Sequence, residues 1–165
     1  MIADSHESVN MNISVGSDHR GFAIKSKVIE LLRELGHEVS DEGTHSSDSV
    51  DYPDIAGVVG EKVSTREVDR GILICGTGIG MAITANKFQD VRAAACHDEF
   101  TADICRRHND VNVLCLPGDL LGERPIDRLL EVWLKTEFEG GRHSRRLGKI
   151  RALESNRQAE SSSPD

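Results

Sequence analysis

In Ile74-Cys75-Gly76-Thr77-Gly78-Ile79-Gly80 a thiol stands at the end of an apolar run, followed by a hydroxyl among three glycines. The run Ile72-Leu73-Ile74 suits a strand buried on both faces of a parallel sheet. Such sheets bind ligands beyond the C-terminal ends of their strands, at the first turn of the next helix. Glycines there let the backbone approach a ligand. The free N–H groups of a helix start favour negative charge, a thiolate included. Cys75 is therefore a candidate general base. Thr77, with the amides of Gly76, Gly78 and Gly80, is a candidate holder of a developing oxyanion, and one well-placed donor is worth about 2.7–4 kcal/mol in a transition state. Two other readings fit the same residues. One is a tight strand–helix turn that buries a cysteine. The other is a nucleotide-phosphate loop, although the segment matches neither GxGxxG nor GxxxxGK[ST].

Four further segments carry suitable polar groups. Ser17-Asp18-His19-Arg20-Gly21 follows the first apolar run. If its strand neighbours that of Cys75, both turns meet in one crevice, with Asp18 toward ligand hydroxyls and His19 toward a phosphate. A capping aspartate and a surface histidine are the alternative. His108, in Arg106-Arg107-His108-Asn109-Asp110, suits acid–base work near neutral pH, or simply belongs to a solvated helix end. Arg142 and Arg146 stand four apart, on one face of a helix, and two guanidinium groups on one side suit a phosphate dianion. A plain basic helix start is the alternative. Tyr52 borders the pocket or ends a loop. His6, His37 and His45 read as surface residues. His97-Asp98-Glu99 has no second ligand group at sensible spacing, so no metal is expected.

Composition narrows the partners. Net charge is −8 and aromatic residues make up 4%, which argues against nucleic acid, whose binders are usually basic or rich in stacking aromatics. The basic stretch from Arg142 to Arg151 is short enough to serve one phosphate. No apolar run approaches the ~20 residues of a membrane span. The first ten residues lack the basic and apolar regions of a secretory signal. Cys75, Cys96, Cys105 and Cys115 form no CxxC pair, and their spacings of 21, 9 and 10 are unlike a zinc ribbon. A reduced, cytoplasmic setting is the default.

The elements that must position these groups alternate. Strands are expected at Met11–Ser17, His37–Asp41, Arg70–Cys75, Val91–Cys96 and Val113–Leu116. Helices are expected at Gly21–Leu35, from Pro53 through Val63, from Gly80 to about Lys87, and over Glu99–His108, Pro125–Glu137 and Ser144–Arg157. Ile24, Val28, Leu31, Leu32 and Leu35 show the helical period, and Gly36 stands where a helix-ending glycine belongs. Repeated strand–helix units imply a parallel sheet covered on both faces. Residues 1–10 and 156–165 have the composition of disordered extensions around a single domain over 11–155.

Together these segments resemble ribose-5-phosphate isomerase B and its relatives, the galactose-6-phosphate isomerase subunits. SDHRG, DYPD, GILICGTGIGMAITANK, RRHNDVNVL and EGGRHSRR stand in that family's order and spacing between Met11 and Glu154. The resemblance implies a Rossmann-like three-layer α/β/α sandwich with a five-stranded parallel sheet. It implies a homodimer or dimer of dimers with the active site at a subunit interface, and no metal or organic cofactor. It further implies Cys75 as the base that moves a proton between C2 and C1, with Thr77 and the Gly76–Gly80 amides on the enediolate oxygen. His108 would assist ring opening, Asp18 and Asn109 would lie near the sugar hydroxyls, and His19, Arg142 and Arg146 would hold the phosphate. A variant of the family carries a glutamate base four positions after the cysteine; here that position is Ile79, so the chain follows the cysteine variant. Many members carry an arginine shortly after strand five. Here Leu116-Pro117-Gly118-Asp119-Leu120 puts an aspartate there, which weakens phosphate binding unless Asp119 turns away.

The activity expected is reversible isomerisation of D-ribose 5-phosphate and D-ribulose 5-phosphate through an enediolate. Isomerisation of a six-carbon sugar phosphate (galactose 6-phosphate or allose 6-phosphate) is the nearest alternative. A non-catalytic phosphate- or nucleotide-binding module is the alternative from another class.

Overall fold

The structure, a computed structural model, describes residues 9–119 and 125–161. Its elements run β1 (Asn12–Ser17), α1 (Phe22–Glu34), β2 (Glu38–Asp41), α2 (Tyr52–Ser64), β3 (Arg70–Cys75), α3 (Ile79–Ala85), β4 (Ala93–Ala95), α4 (Glu99–Asn109), β5 (Val113–Pro117), α5 (Ile126–Lys135) and α6 (Arg142–Ser161). The apolar period of α1 buries Val28, Ile29 and Leu32. Its end is marked by Gly36 at φ +88°, a conformation glycine reaches without steric cost. The start of α4 is set by Asp98, whose carboxylate accepts from the Thr101 amide at 2.7 Å in a reciprocal capping box.

The five strands are all parallel, in the order β2-β1-β3-β5-β4. The chain leaves β1 toward β2 on one side and returns to β3 on the other. The strand ends between β1 and β3 therefore form the crevice where such sheets bind ligands. Ser17 pairs with Ile74, and Cys75 with Pro117, so the β1, β3 and β5 turns emerge side by side.

Alternation along β3 builds the two outer layers. Ile72 and Ile74 face a core made with α1, α4 and α5, where Trp133 is fully buried. Leu73 and Cys75 face a second core made with α2 and α3. Each fully buried Ile or Leu of β3 contributes about 1.5–3 kcal/mol of burial, which explains why this strand is apolar on both faces. The result is a three-layer α/β/α sandwich.

Several expected bounds differ. The fourth strand is the short Ala93–Ala95 rather than Val91–Cys96, and α3 stops at Ala85. The last helix runs over Arg142–Ser161, so residues 156–161 continue a helix where composition suggested a tail. Residues 1–8, including His6, and 162–165 lie outside the described residues. His37 is buried, not a surface residue: it follows the Gly36 turn, and its Nδ1 accepts from the Met11 amide at 3.3 Å. No helix among the described residues is long and apolar enough to cross a membrane.

Candidate active site

Cys75 closes β3 with 5% of its surface exposed. The turn after it is tied to its neighbours through backbone: Gly118 N donates to Cys75 O at 2.7 Å, Asp119 N to Gly76 O at 3.0 Å, and Asp18 N to Ile74 O at 3.1 Å. Gly78 sits at φ +75°, and a Cβ on it would lie 3.2 Å from the Cys115 carbonyl oxygen, so the turn requires glycine. This places the Gly78 amide 3.1 Å from the Cys75 sulfur, donating to it. The amide hydrogen is thus aimed at the sulfur. Thr77 is exposed beside it, its hydroxyl accepting from Ile79 N at 3.3 Å.

Asp18 is buried, and its Oδ1 accepts from the amides of Arg20 (2.9 Å) and Gly21 (3.1 Å). Asp18 does not cap α1, whose N-cap is Gly21 without a side-chain bond; its carboxylate fixes the turn before the helix, which adjoins the cysteine loop. His19 accepts at Nδ1 from Val50 N at 3.3 Å, which in the neutral ring leaves the proton on Nε2. Tyr52 opens α2 and lies over Gly80; a Cβ on Gly80 would come 2.6 Å from the Tyr52 ring. Cys75, Thr77, Asp18, His19, Tyr52 and the three glycines therefore form one constellation at the C-terminal ends of β1 and β3.

The remaining candidates form a second constellation elsewhere. His108 and Asn109 end α4, which leads into the start of β5, and Arg142 and Arg146 are exposed on the first turns of α6. The segment that leads into α6 meets the end of α4 where Glu139 N donates to Arg107 O at 3.0 Å. The His108 ring stacks on His143, with centroids 4.2 Å apart and planes 8° from parallel. Glu139 lies 3.9 Å from His108 and 3.6 Å from His143. Burial, reinforced by His108, Arg142 and Arg146, holds His143 below its ordinary imidazole range. This group is at the opposite end of the strands from Cys75. The length of β3 alone separates the two levels by about 16 Å, so one chain does not bring His108, Asn109, Arg142 and Arg146 to the thiol.

His108, Glu139 and His143 do bring ligand-type atoms within 4.8 Å of one another. A metal lies in the plane of each imidazole that binds it, about 2.0–2.1 Å from nitrogen. Two rings stacked nearly parallel do not share such a plane, so the stack does not suit a single ion held by both.

Sequence reasoning missed two features. The Arg20 guanidinium forms an ion pair with Asp119 over Gly76; Arg20 was visible inside SDHRG, but its partner lies on a turn two strands away. The spacing Glu139-x-x-x-His143 was a legible signal for the second group.

Residues 13–150 match the family described as Ribose/Galactose Isomerase. The chain is 50% identical to the putative sugar phosphate isomerase YwlF of Bacillus subtilis, over 85% of this chain and 95% of that protein. It is 44% identical to ribose-5-phosphate isomerase B of Escherichia coli, over 88% and 97%. The solved structure of Clostridium thermocellum ribose-5-phosphate isomerase B superposes with a TM-score of 0.86 at 46% identity, covering 88% of this chain and 99% of that one.

Proposed function

The chain belongs to the ribose/galactose isomerase family, and from that premise we propose that it interconverts ribose 5-phosphate and ribulose 5-phosphate, with Cys75 as the base. The observation that carries this reading is the Gly78 amide 3.1 Å from the Cys75 sulfur, at the strand-end crevice. In the open-chain aldose the thiolate takes the proton from C2. The electron pair moves into a C1–C2 double bond, and charge collects on O1, within reach of Thr77 and the loop amides. The O2 proton passes to O1, the electron pair left on O2 forms the ketose carbonyl, and the C1–C2 double bond takes the proton back from the thiol at C1, which restores the thiolate. A base so placed is worth about 10²–10⁴ in rate.

The same reading takes two copies of the chain to complete one site. His108 and Asn109 act on the ring and hydroxyls, and Arg142 and Arg146 on the phosphate, from a second protomer. Two observations support this. Within one chain these groups stand at the far end of the sheet from Cys75. Around the cysteine loop, Tyr52 (40%), Ile79 (54%) and Ile83 (58%) are exposed apolar side chains, the kind a partner covers. A reducing, cytoplasmic setting belongs to the same reading, supported by four free, buried thiols.

The test is ketose formation from ribose 5-phosphate by wild type and Cys75→Ala, without added metal. Turnover by wild type and a loss of at least about a hundredfold in folded Cys75→Ala are expected. Turnover retained by Cys75→Ala removes the cysteine base. Inactive wild type removes the pentose substrate, and six-carbon sugar phosphates are then assayed on the same protein.

A further inference from the structure

We propose that Arg20, held by Asp119, binds the anionic group of the substrate beside Cys75, with Asp119 as its positioning residue. This rests on the reading of the site as one for a sugar phosphate. Arg20 leaves the β1–α1 turn next to His19, its own amide fixed by the Asp18 carboxylate at 2.9 Å. Its guanidinium pairs with Asp119, and the two side chains lie against the first glycine after the thiol. A Cβ on Gly76 would stand 2.7 Å from Asp119 Oδ2 and 3.1 Å from Arg20 Nε. Asp119 is in turn anchored by its amide on Gly76 O at 3.0 Å.

An ordinary exposed ion pair contributes about 0–1 kcal/mol and needs no fitted backbone. This pair packs against the backbone of Gly76, one residue from the base, and Asp119 is further tied there by its own amide. A guanidinium has five donors in a planar fork. Asp119 engages one part of it, while 58% of the Arg20 side chain remains exposed, leaving donors for a phosphate. Asp119 alone would repel a dianion in a chain of net charge −8. Paired, it is neutralised and aims the cation, so the aspartate after β5 is turned from the ligand toward Arg20.

The experiment uses the full chain and two readouts: steady-state isomerisation of ribose 5-phosphate, and calorimetric titration with inorganic phosphate. Arg20→Ala is expected to raise KM and weaken phosphate binding about 10- to 100-fold, the worth of one or two charge-assisted bonds, with a much smaller change in kcat. Arg20→Lys restores part of the loss. Asp119→Asn weakens phosphate binding less, Asp119→Glu recovers it, and Asp119→Asn has no further effect in an Arg20→Ala background. Unchanged phosphate affinity in Arg20→Ala, or an Asp119→Asn effect that persists without Arg20, overturns the proposal. A wild type that does not isomerise ribose 5-phosphate fails the substrate reading instead, and the phosphate titration still decides the role of Arg20.

Discussion

Lys25, on the buried face of α1, pairs with Asp41 at the end of β2, directly beneath the turns that carry the site. The ammonium side chain is 2% exposed and the carboxylate 33%. Lys25 also donates to the Thr44 carbonyl at 2.7 Å, and Asp41 accepts from the Gly43 amide at 2.9 Å. Gly43 and Thr44 in turn bond to Ser17, which precedes Asp18. Burial pushes the Asp41 carboxyl up, but the bonds from Lys25 and Gly43 outweigh it and hold the group below its ordinary range. Asp41→Asn is expected to destabilise the fold by about 3 kcal/mol at neutral pH, because it strands a buried charge. In wild type this stability is present above the unfolded value, near 3.8, and is lost as pH falls through the lower native one. Urea midpoints of the two proteins should therefore converge in acid.

Mixing inactive variants tests the shared site. Cys75→Ala and His108→Ala are each expected to be inactive or nearly so. In a symmetric dimer a one-to-one mixture recovers about a quarter of the wild-type sites, since each hybrid holds one intact site. No recovery after subunit exchange would remove the site shared between protomers.

Gly80→Ala tests Tyr52. Alanine favours a helix interior, yet its Cβ would come 2.6 Å from the Tyr52 ring. The ring is half exposed and can swing out, so the thermal midpoint should change little. KM is expected to rise at least about threefold, an effect that disappears in a Tyr52→Ala background. A KM unaffected by Gly80→Ala would remove Tyr52 from the substrate.

His37 makes the fold sensitive to mild acid. Burial, assisted by nearby Arg70, holds its imidazole below the ordinary value of 6.5, and the neutral Nδ1 accepts from Met11 N. Below about pH 6.5 the unfolded chain takes up a proton that the native ring refuses, so stability falls with pH. His37→Gln should flatten the urea midpoint between about pH 7.5 and 5.5 relative to wild type.

The sequence by itself determined the order and type of the elements. The Ile72-Leu73-Ile74 run required a two-faced buried strand, which β3 is, and the glycines after Cys75 required a tight turn, which Gly78 makes at positive φ. Both are consequences of local sterics and of burial along one strand, which are written in consecutive residues. Only the tertiary structure decided the rest. It buried His37 against Met11, because a neutral ring with a backbone donor tolerates burial that its polarity alone does not announce. It joined Arg20 to Asp119, which stand 99 positions apart and meet because β1 and β5 flank β3. It also set His108, Arg142 and Arg146 at the opposite end of the strands from Cys75. In an all-parallel sheet every helix carries the chain back to the starting edge, so residues at helix ends and at strand ends face opposite ways, and no spacing in the sequence records the distance between them.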